Sequence, residues 1–242
     1  MSLLLSLIKI TYRMNRKRFL KDGILGIGTI VALPPLITSC KKDNKKPVID
    51  PVACSASPAE TAGPFRIKTP ADLVRENIVG NRTGVPLLIN IKVENINDNC
   101  KPLAGVLVDI WHCDAKGNYS EYSGQLAGDF THEHFLRGRQ TTGSDGIASF
   151  ISIYPGWYPG RAPHLHLEIK SSSGKSLLVT QTAFPEDISN IVYATSGYKG
   201  RSDTFNSNDG AFKDSLAGNL ATSVFGNTTD GYTMTETIKV AG

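Results

Sequence analysis

The chain has 242 residues, of which 40% are hydrophobic and 20% charged, a composition typical of a globular protein that can bury a sizeable core. Its formal net charge of +4 is unevenly distributed, because residues 1–46 hold ten of the 26 basic side chains and two of the 22 acidic ones. Residues 47–242 therefore carry more acidic than basic side chains, which argues against a nucleic-acid-binding protein, since such a protein needs a cationic patch.

The N-terminal residues resemble an export signal. A cationic stretch, residues 15–23, precedes an apolar stretch, residues 23–33, that is too short to span a bilayer. The following Ile37-Thr38-Ser39-Cys40 resembles a bacterial lipobox, which implies diacylation of Cys40 and a membrane-anchored lipoprotein on the periplasmic or cell-surface side. An uncleaved N-terminal anchor, the export route and a start at Met14 stay open.

We therefore predict three regions: an export signal over 1–40, a polar tether over 41–53 and a single folded domain over 54–242. If Cys40 carries lipid, then Cys54, Cys100 and Cys113 remain in an oxidising compartment, enough for one disulfide and one free thiol. The sequence does not indicate which two of them pair.

The folded domain has mostly two-residue periodicity. Ile89, Ile91 and Val93 alternate with polar residues, as in a strand with one solvated face. Similar patterns separated by turn signals predict an all-β fold, an antiparallel β-sandwich core with long loops and little helix. The further predicted strands are 106–111, 147–153, 165–169, 177–184 and 232–240, and a helix is expected only near 209–219.

Two histidines in PGWYPGRAPHLHLEI suggest a metal site. His164 and His166 share one face of a predicted strand, about 7 Å apart, so both imidazoles can reach one ion. Glu168 continues that face, which leaves open a two-histidine, one-carboxylate site. Two tyrosines favour Fe(III) instead, because phenolate is a hard anionic ligand: Tyr158 precedes the histidines in the same stretch, and Tyr119 ends a separate strand-turn segment.

Residues 58–240 resemble the intradiol ring-cleavage dioxygenases, a non-haem Fe(III) family that includes catechol and protocatechuate dioxygenases. The resemblance rests on segments in the family's order and at close to its spacing: SPAETAGPF, VDIWHCDAKGNYS, FLRGRQTTGSDG, IYPGWYPGRAPHLHLEI and VTQTAFP. The chain is closer to exported, single-domain members than to the cytoplasmic catechol dioxygenases with their helical N-terminal segment.

The resemblance implies a metal site and a reaction. The implied Fe(III) ligands are Tyr119, Tyr158, His164 and His166, held between the two sheets of the sandwich, with Tyr158 the ligand that dissociates when substrate binds. The implied substrates are a catechol and O₂, with oxygen inserted between the two hydroxyl-bearing carbons to give a cis,cis-muconate-type product. Arg161 is implied beside the substrate ring, and Gln181 as a polar residue near the cleaved bond.

Two other functions stay open. One is a non-catalytic β-sandwich binding module on a surface lipoprotein, and the other is a metalloenzyme in which His164, His166 and Glu168 bind Fe(II) or zinc. We expect residues 63–65 and those around Asp114 and Trp157 to line the substrate pocket. The identity of the catechol and the oligomeric state cannot be read from the sequence.

Overall fold

Residues 54–125 and 127–242, the part of the chain that a computed structural model describes, form two β-sheets joined by loops, with very little helix. This confirms the all-β prediction. The strands are β1 Pro86–Asn95, β2 Lys101–Pro102, β3 Leu107–Trp111, β4 Arg137–Thr141, β5 Ile147–Ile153, β6 His164–Lys170, β7 Ser176–Ala183, β8 Ser223–Asn227 and β9 Gly231–Val240, and the α-helices are α1 Glu186–Tyr193 and α2 Leu216–Asn219.

The predicted export signal, polar tether and lipid attachment at Cys40 lie outside the described residues. Within residues 54–125 and 127–242, no helix is long and apolar enough to cross a membrane.

The first sheet has five strands around β1. Strand β9 lies parallel to β1 on one side and carries β8 at its outer edge, while β5 and then β2 pair with the other side of β1. The second sheet has four antiparallel strands in the order β4-β3-β6-β7. Its two central strands, β3 and β6, are the ones that carry the predicted metal-site segments.

The core lies between the two sheets because alternate residues of each strand point inward. Ile89 and Ile91 of β1 share a buried cluster with Val108 of β3 and with Leu165 and Leu167 of β6. Burying this apolar surface, at roughly 25 cal/mol per Å², is the main favourable contribution to folding. The opposite face of β3 and β6 is therefore free to carry polar groups.

The structure differs from the sequence prediction at its polar elements. Strand β4, with the sequence RGRQT, has no apolar alternation, and it forms because it pairs with β3 and because Arg139 bonds the buried Asp109 at 2.5 and 2.7 Å. The helix predicted near 209–219 is wrong over most of that range, since only Leu216–Asn219 is helical there. A longer helix that was not predicted, α1, begins after Pro185 with two acidic residues in its first turn.

A disulfide joins Cys54 to Cys100, and Cys113 is a buried free thiol. The bond attaches the start of the described N-terminal segment to the turn that follows β1. This segment then runs along the edge of the second sheet, where Glu60 donates its backbone N–H to the carbonyl oxygen of Val179 of β7 at 2.9 Å.

Candidate metal centre

Strand β6 carries both histidines on the outer face of the second sheet. Leu165 and Leu167 point into the core, so His164 and His166 point away from it, and both are buried under the loops that cover this face. The expectation that the site lies between the two sheets is therefore wrong. The space between the sheets is filled by aliphatic side chains from both of them.

The loop after β3 places Tyr119 over the histidines. Its turn is held by Asp114, whose Oδ1 accepts bonds from the backbone N–H groups of Lys116 and Asn118, both at 2.9 Å. Gly117 has a φ of +87°, and a Cβ on it would lie 2.3 Å from the carbonyl oxygen of Trp157. Only glycine fits there, and this close approach brings the Tyr119 loop against the loop that carries Tyr158.

Four donor atoms converge on one point. The Nε2 atom of His164 lies 3.1 Å from Nε2 of His166 and 3.4 Å from the hydroxyl oxygens of both Tyr119 and Tyr158. The Nδ1 atom of His164 lies 2.6 Å from the carbonyl oxygen of Ala162, so Nδ1 carries the proton and Nε2 presents a lone pair to the cluster. The structure thus brings together all four predicted ligands.

Burial sets the charge state of these groups. It lowers the pKa of His164 to about 3, with nearby Arg161 adding to the effect, and it lowers the pKa of His166 well below the usual value. Both imidazoles are therefore neutral at pH 7, the state in which imidazole binds a metal. Burial also raises the pKa of Tyr119 well above its usual value and raises that of Tyr158, although Arg161 opposes the shift at Tyr158.

This donor set fits a trivalent iron. Two neutral imidazoles and two phenols, with no carboxylate among them, need a strongly charged hard cation to ionise the phenols at neutral pH. Among the described residues, no group of three or more His, Cys, Asp and Glu side chains could hold a metal ion. A metal at this point therefore depends on the tyrosines.

Glu168 is occupied elsewhere. Its Oε2 lies 2.6 Å from Nη2 of Arg66 and 3.4 Å from Nζ of Lys170. Burial raises the pKa of Glu168, but hydrogen bonds from Arg66 and Ser176 outweigh it, so the net shift is downward. The structure thus gives this carboxylate two cationic partners, and it does not place it in the donor cluster.

Arg161 and Gln181 form a connected pair beside the cluster. The Nη1 group of Arg161 donates to the Tyr158 hydroxyl at 3.2 Å, and its Nη2 group donates to Oε1 of Gln181 at 2.5 Å. Gln181 lies opposite His166 in the pairing of β6 with β7, and its Nε2 donates to the carbonyl of Thr61 at 2.7 Å. Both predicted residues therefore lie at the site.

Aromatic rings and the segment 61–65 enclose the donors. The Phe65 ring stacks on Tyr119 with centroids 4.6 Å apart and meets Tyr158 edge-on at 6.2 Å. Trp111 stacks on His166 at 5.1 Å. Gly63, at a φ of +66°, comes so close that a Cβ would lie 2.9 Å from Cε1 of His166, so residues 63–65 do lie against the site as predicted.

Two supporting residues escaped prediction. Arg137 is fully buried on β4 and donates to the Phe65 carbonyl at 2.9 Å and to the Ser120 carbonyl at 2.6 Å, which joins the covering segment to the Tyr119 loop. Asp209 is also fully buried and pairs with Arg161 at 2.9 Å. Neither residue carries a sequence signal, because each acts through contacts with residues far away in the chain.

Two other histidines, His112 and His134, take structural positions. His112 is buried between the Ser152 hydroxyl at 2.7 Å and the Cys113 carbonyl at 2.8 Å, and burial lowers its pKa to about 4. His134 contacts Oε1 of Glu121 at 2.9 Å. Neither histidine is among the four converging donors.

The chain is similar to known ring-cleaving oxygenases. A family model described as Dioxygenase matches residues 62–198, which is more than half of the chain. The solved structure of an intradiol ring-cleavage dioxygenase from Tetranychus urticae aligns with a TM-score of 0.68 and 29% identity, over 77% of this chain and 95% of that one.

Curated proteins show the same relationship. The protocatechuate 3,4-dioxygenase beta chain of Burkholderia cepacia is 29% identical over 136 residues, which are 53% of this chain and 56% of that protein. The hydroxyquinol 1,2-dioxygenase of Rhizobium sp. (strain MTP-10005) is 28% identical over 151 residues, 54% of this chain and 49% of that protein. The chain thus spans about half the length of the curated relatives it matches.

Proposed function

Because the chain belongs to the intradiol ring-cleavage dioxygenase family, we propose that it is an Fe(III)-dependent enzyme that opens the ring of a catechol with O₂. Oxygen would be inserted between the two hydroxyl-bearing carbons, giving a cis,cis-muconate-type product. The observation that carries this proposal is the convergence of two neutral imidazoles and two phenols, in which the donor atoms of Tyr119, Tyr158 and His166 all lie within 3.4 Å of Nε2 of His164.

The metal would be held by Tyr119, Tyr158, His164 and His166. Bound there, Fe(III) would supply a Lewis acid that the two catechol oxygens chelate, which would make the catechol reactive toward O₂. The chain's own part is to hold these ligands, to exclude water and to move the protons that the catechol loses.

The two tyrosines differ in their surroundings, which supports different roles. Tyr119 is fully buried and stacked on Phe65, so its phenol has no room to leave. Tyr158 lies on a loop, is partly exposed and is bonded to Arg161 at 3.2 Å. Because burial raises the pKa of Tyr158, its released phenolate would be a strong enough base to take one hydroxyl proton from the incoming catechol.

Arg161 and Gln181 would act on the substrate beside the ligands. The guanidinium of Arg161 donates to the Tyr158 hydroxyl, so it would lie beside a catechol that binds next to this tyrosine. A fixed positive charge in a dry site stabilises negative charge that develops on the ring. Gln181 keeps the guanidinium in place from the other side at 2.5 Å.

Neither of the other two functions is favoured by a specific contact. A binding module has no need to keep four metal donors together with a buried arginine. A His/Glu metalloenzyme would need Glu168 free, whereas Arg66 and Lys170 both lie within 3.4 Å of its carboxylate.

Oxygen uptake by the iron-loaded chain tests the proposal. The panel should include catechol, protocatechuate, hydroxyquinol and larger polyphenol-derived catechols, and we expect consumption of one O₂ per ring opened with at least one of them. Tyr122→Phe is a matched control, because Tyr122 contacts Phe65 but its hydroxyl donates to the Arg66 carbonyl. Stoichiometric zinc in place of iron, or no uptake with any catechol, would overturn the proposal.

We also propose that the chain works outside the cytoplasm, attached to a membrane through lipid on Cys40. The support is the sequence of residues 15–40 and the disulfide between Cys54 and Cys100, which fits an oxidising compartment. Incorporation of labelled palmitate into the wild type but not into Cys40→Ser would support this location. Equal labelling of both would contradict it.

A further inference from the structure

Asp209 is a buried carboxylate whose hydrogen bonds go to Arg161 and Ala162 of the site and to Ala211 of its own loop. It follows the short 3₁₀ turn Asn206–Asn208 and is 0% exposed. Its Oδ1 and Oδ2 lie 3.0 and 2.9 Å from Nε of Arg161. The backbone N–H groups of Ala162 and Ala211 add bonds of 2.7 and 2.8 Å, so each oxygen has two donors.

These bonds fix the orientation of the planar guanidinium of Arg161. The Nε edge is held by Asp209, while Nη1 points to Tyr158 and Nη2 to Gln181. A planar guanidinium held by a carboxylate on one edge presents its other nitrogens in set directions, which a lysine in the same place could not do. The two partners on the Nη side, Tyr158 and Gln181, are both neutral groups. In the described part of the chain, Asp209 is the only carboxylate within bonding distance of Arg161.

The same carboxylate is connected to a metal ligand through the backbone of one residue, Ala162. The N–H of Ala162 donates to Asp209, and the C=O of Ala162 accepts from Nδ1 of His164 at 2.6 Å. That second bond sets the tautomer and the ring direction of His164. Removing a group that supports a metal-bound histidine in this way commonly weakens metal binding by about 10–100-fold.

We propose that Asp209 is a positioning residue that aims Arg161 at the substrate and holds the backbone of Ala162, whose carbonyl orients His164. The inference rests on the proposed function, in which Arg161 faces the catechol ring. It goes beyond that function because it assigns a role to an acidic residue in a loop that neither binds the metal nor contacts the ring.

The anchoring can be tested without iron. In the ¹⁵N-labelled metal-free protein, the Nε–H signal of Arg161, assigned by its loss in Arg161→Lys, should be protected from exchange with water. Asp209→Asn should speed that exchange by about tenfold or more, whereas Asp214→Asn, which removes an exposed carboxylate further along the same loop, should leave it unchanged. Unchanged protection in Asp209→Asn would overturn the anchoring role.

The catalytic consequence is a separate measurement on the iron-loaded protein. With the fastest catechol of the panel, Asp209→Asn should lower kcat by about 100-fold, with KM changed by less than about threefold. The double variant Asp209→Asn/Arg161→Lys should be no more than about twofold slower than the slower single variant, because the two residues act as a unit. A kcat within twofold of wild type, or multiplicative losses in the double variant, would overturn the proposal.

A third variant tests the proposal in case Asp209→Asn does not fold. If Asp209→Asn is insoluble, Asp209→Glu keeps the charge and displaces it by one methylene, and we expect a loss of kcat of about tenfold or more with a folded protein. Full activity of Asp209→Glu would contradict positioning. A wild type that consumes no oxygen would refute the proposed function, while the exchange measurement would still decide whether Asp209 anchors Arg161.

Discussion

Replacing Gly63 by alanine should disturb the site through a single contact. A Cβ at this position would lie 2.9 Å from Cε1 and 3.4 Å from Nε2 of His166. Carbon atoms pack at about 3.5–4.0 Å, so either the ring or the segment 61–65 must shift by roughly half an ångström. The ring cannot retreat freely, because its other side stacks on Trp111 with an interplanar angle of 1°.

The free energy of unfolding should fall by two separable contributions. The φ of +66° adds about 1–2 kcal/mol of strain for any residue with a Cβ, and the overpacking against His166 adds about 1–3 kcal/mol. Gly105→Ala separates them, because Gly105 has a φ of +77° and nothing within 4 Å of its Cβ position. Gly105→Ala therefore adds the backbone strain but not the overpacking against His166.

Urea unfolding of the metal-free protein and iron titration are the two assays. Gly63→Ala should be less stable than Gly105→Ala by the overpacking contribution, and it should bind iron about 10–100-fold more weakly because His166 is displaced. Gly105→Ala should bind iron like the wild type. Equal iron affinity in the two variants would refute the reasoning that Gly63 sets the position of His166.

Three other changes have predicted outcomes. In the double variant Cys54→Ser/Cys100→Ser, the free energy of unfolding measured in urea should fall by about 4 kcal/mol, because the disulfide joins residues 46 apart and so restricts the unfolded chain. A loss below about 1 kcal/mol would contradict this prediction. Burial raises the pKa of Glu236 to about 7, so its folded form binds a proton that the unfolded form releases, and the wild type loses stability as pH rises from about 4.5 to 7. Glu236→Gln should therefore gain up to about 3 kcal/mol at pH 8 and nothing at pH 4, and an equal effect at both pH values would contradict this titration. Glu168→Gln should bind iron stoichiometrically like the wild type, and loss of the metal would favour the two-histidine, one-carboxylate site instead.

The sequence predicted the strands that have a regular apolar pattern. Alternation in β1, β5 and β9 reflects one buried face, which residue types alone can reveal. Strand β4 could not be found in this way, because Arg137 is buried there through a bond to the Phe65 segment and Arg139 is half-buried there through bonds to Asp109. Such a strand depends on tertiary partners.

The site was predictable only in part from the residues themselves. The two-residue spacing of His164 and His166 places both on one face of a strand, whichever face that is. In the structure, Leu165 and Leu167 pack in the core, which places the two histidines on the outer face of the second sheet. The expectation of a site between the sheets was therefore wrong. The residue type made Tyr119 a candidate phenolate ligand, but its assignment as one of the four donors depended on the family resemblance, because a tyrosine in a loop has no periodic signal.

Asp209 shows where sequence reasoning stops. It lies 48 residues from Arg161 and in a stretch whose composition predicts a helix or a turn. What makes it important is that a loop folds back to place its carboxylate on Arg161 and on the Ala162 peptide. No local pattern records such a contact.

The visible absorption spectrum of the iron-loaded chain tests the central claim most directly, since that claim is that two tyrosines bind Fe(III). We predict a tyrosinate-to-iron charge-transfer band that is altered in both Tyr119→Phe and Tyr158→Phe and is unchanged in Tyr122→Phe. An iron-loaded wild type without such a band, or a band that survives unchanged in both variants, would contradict the account.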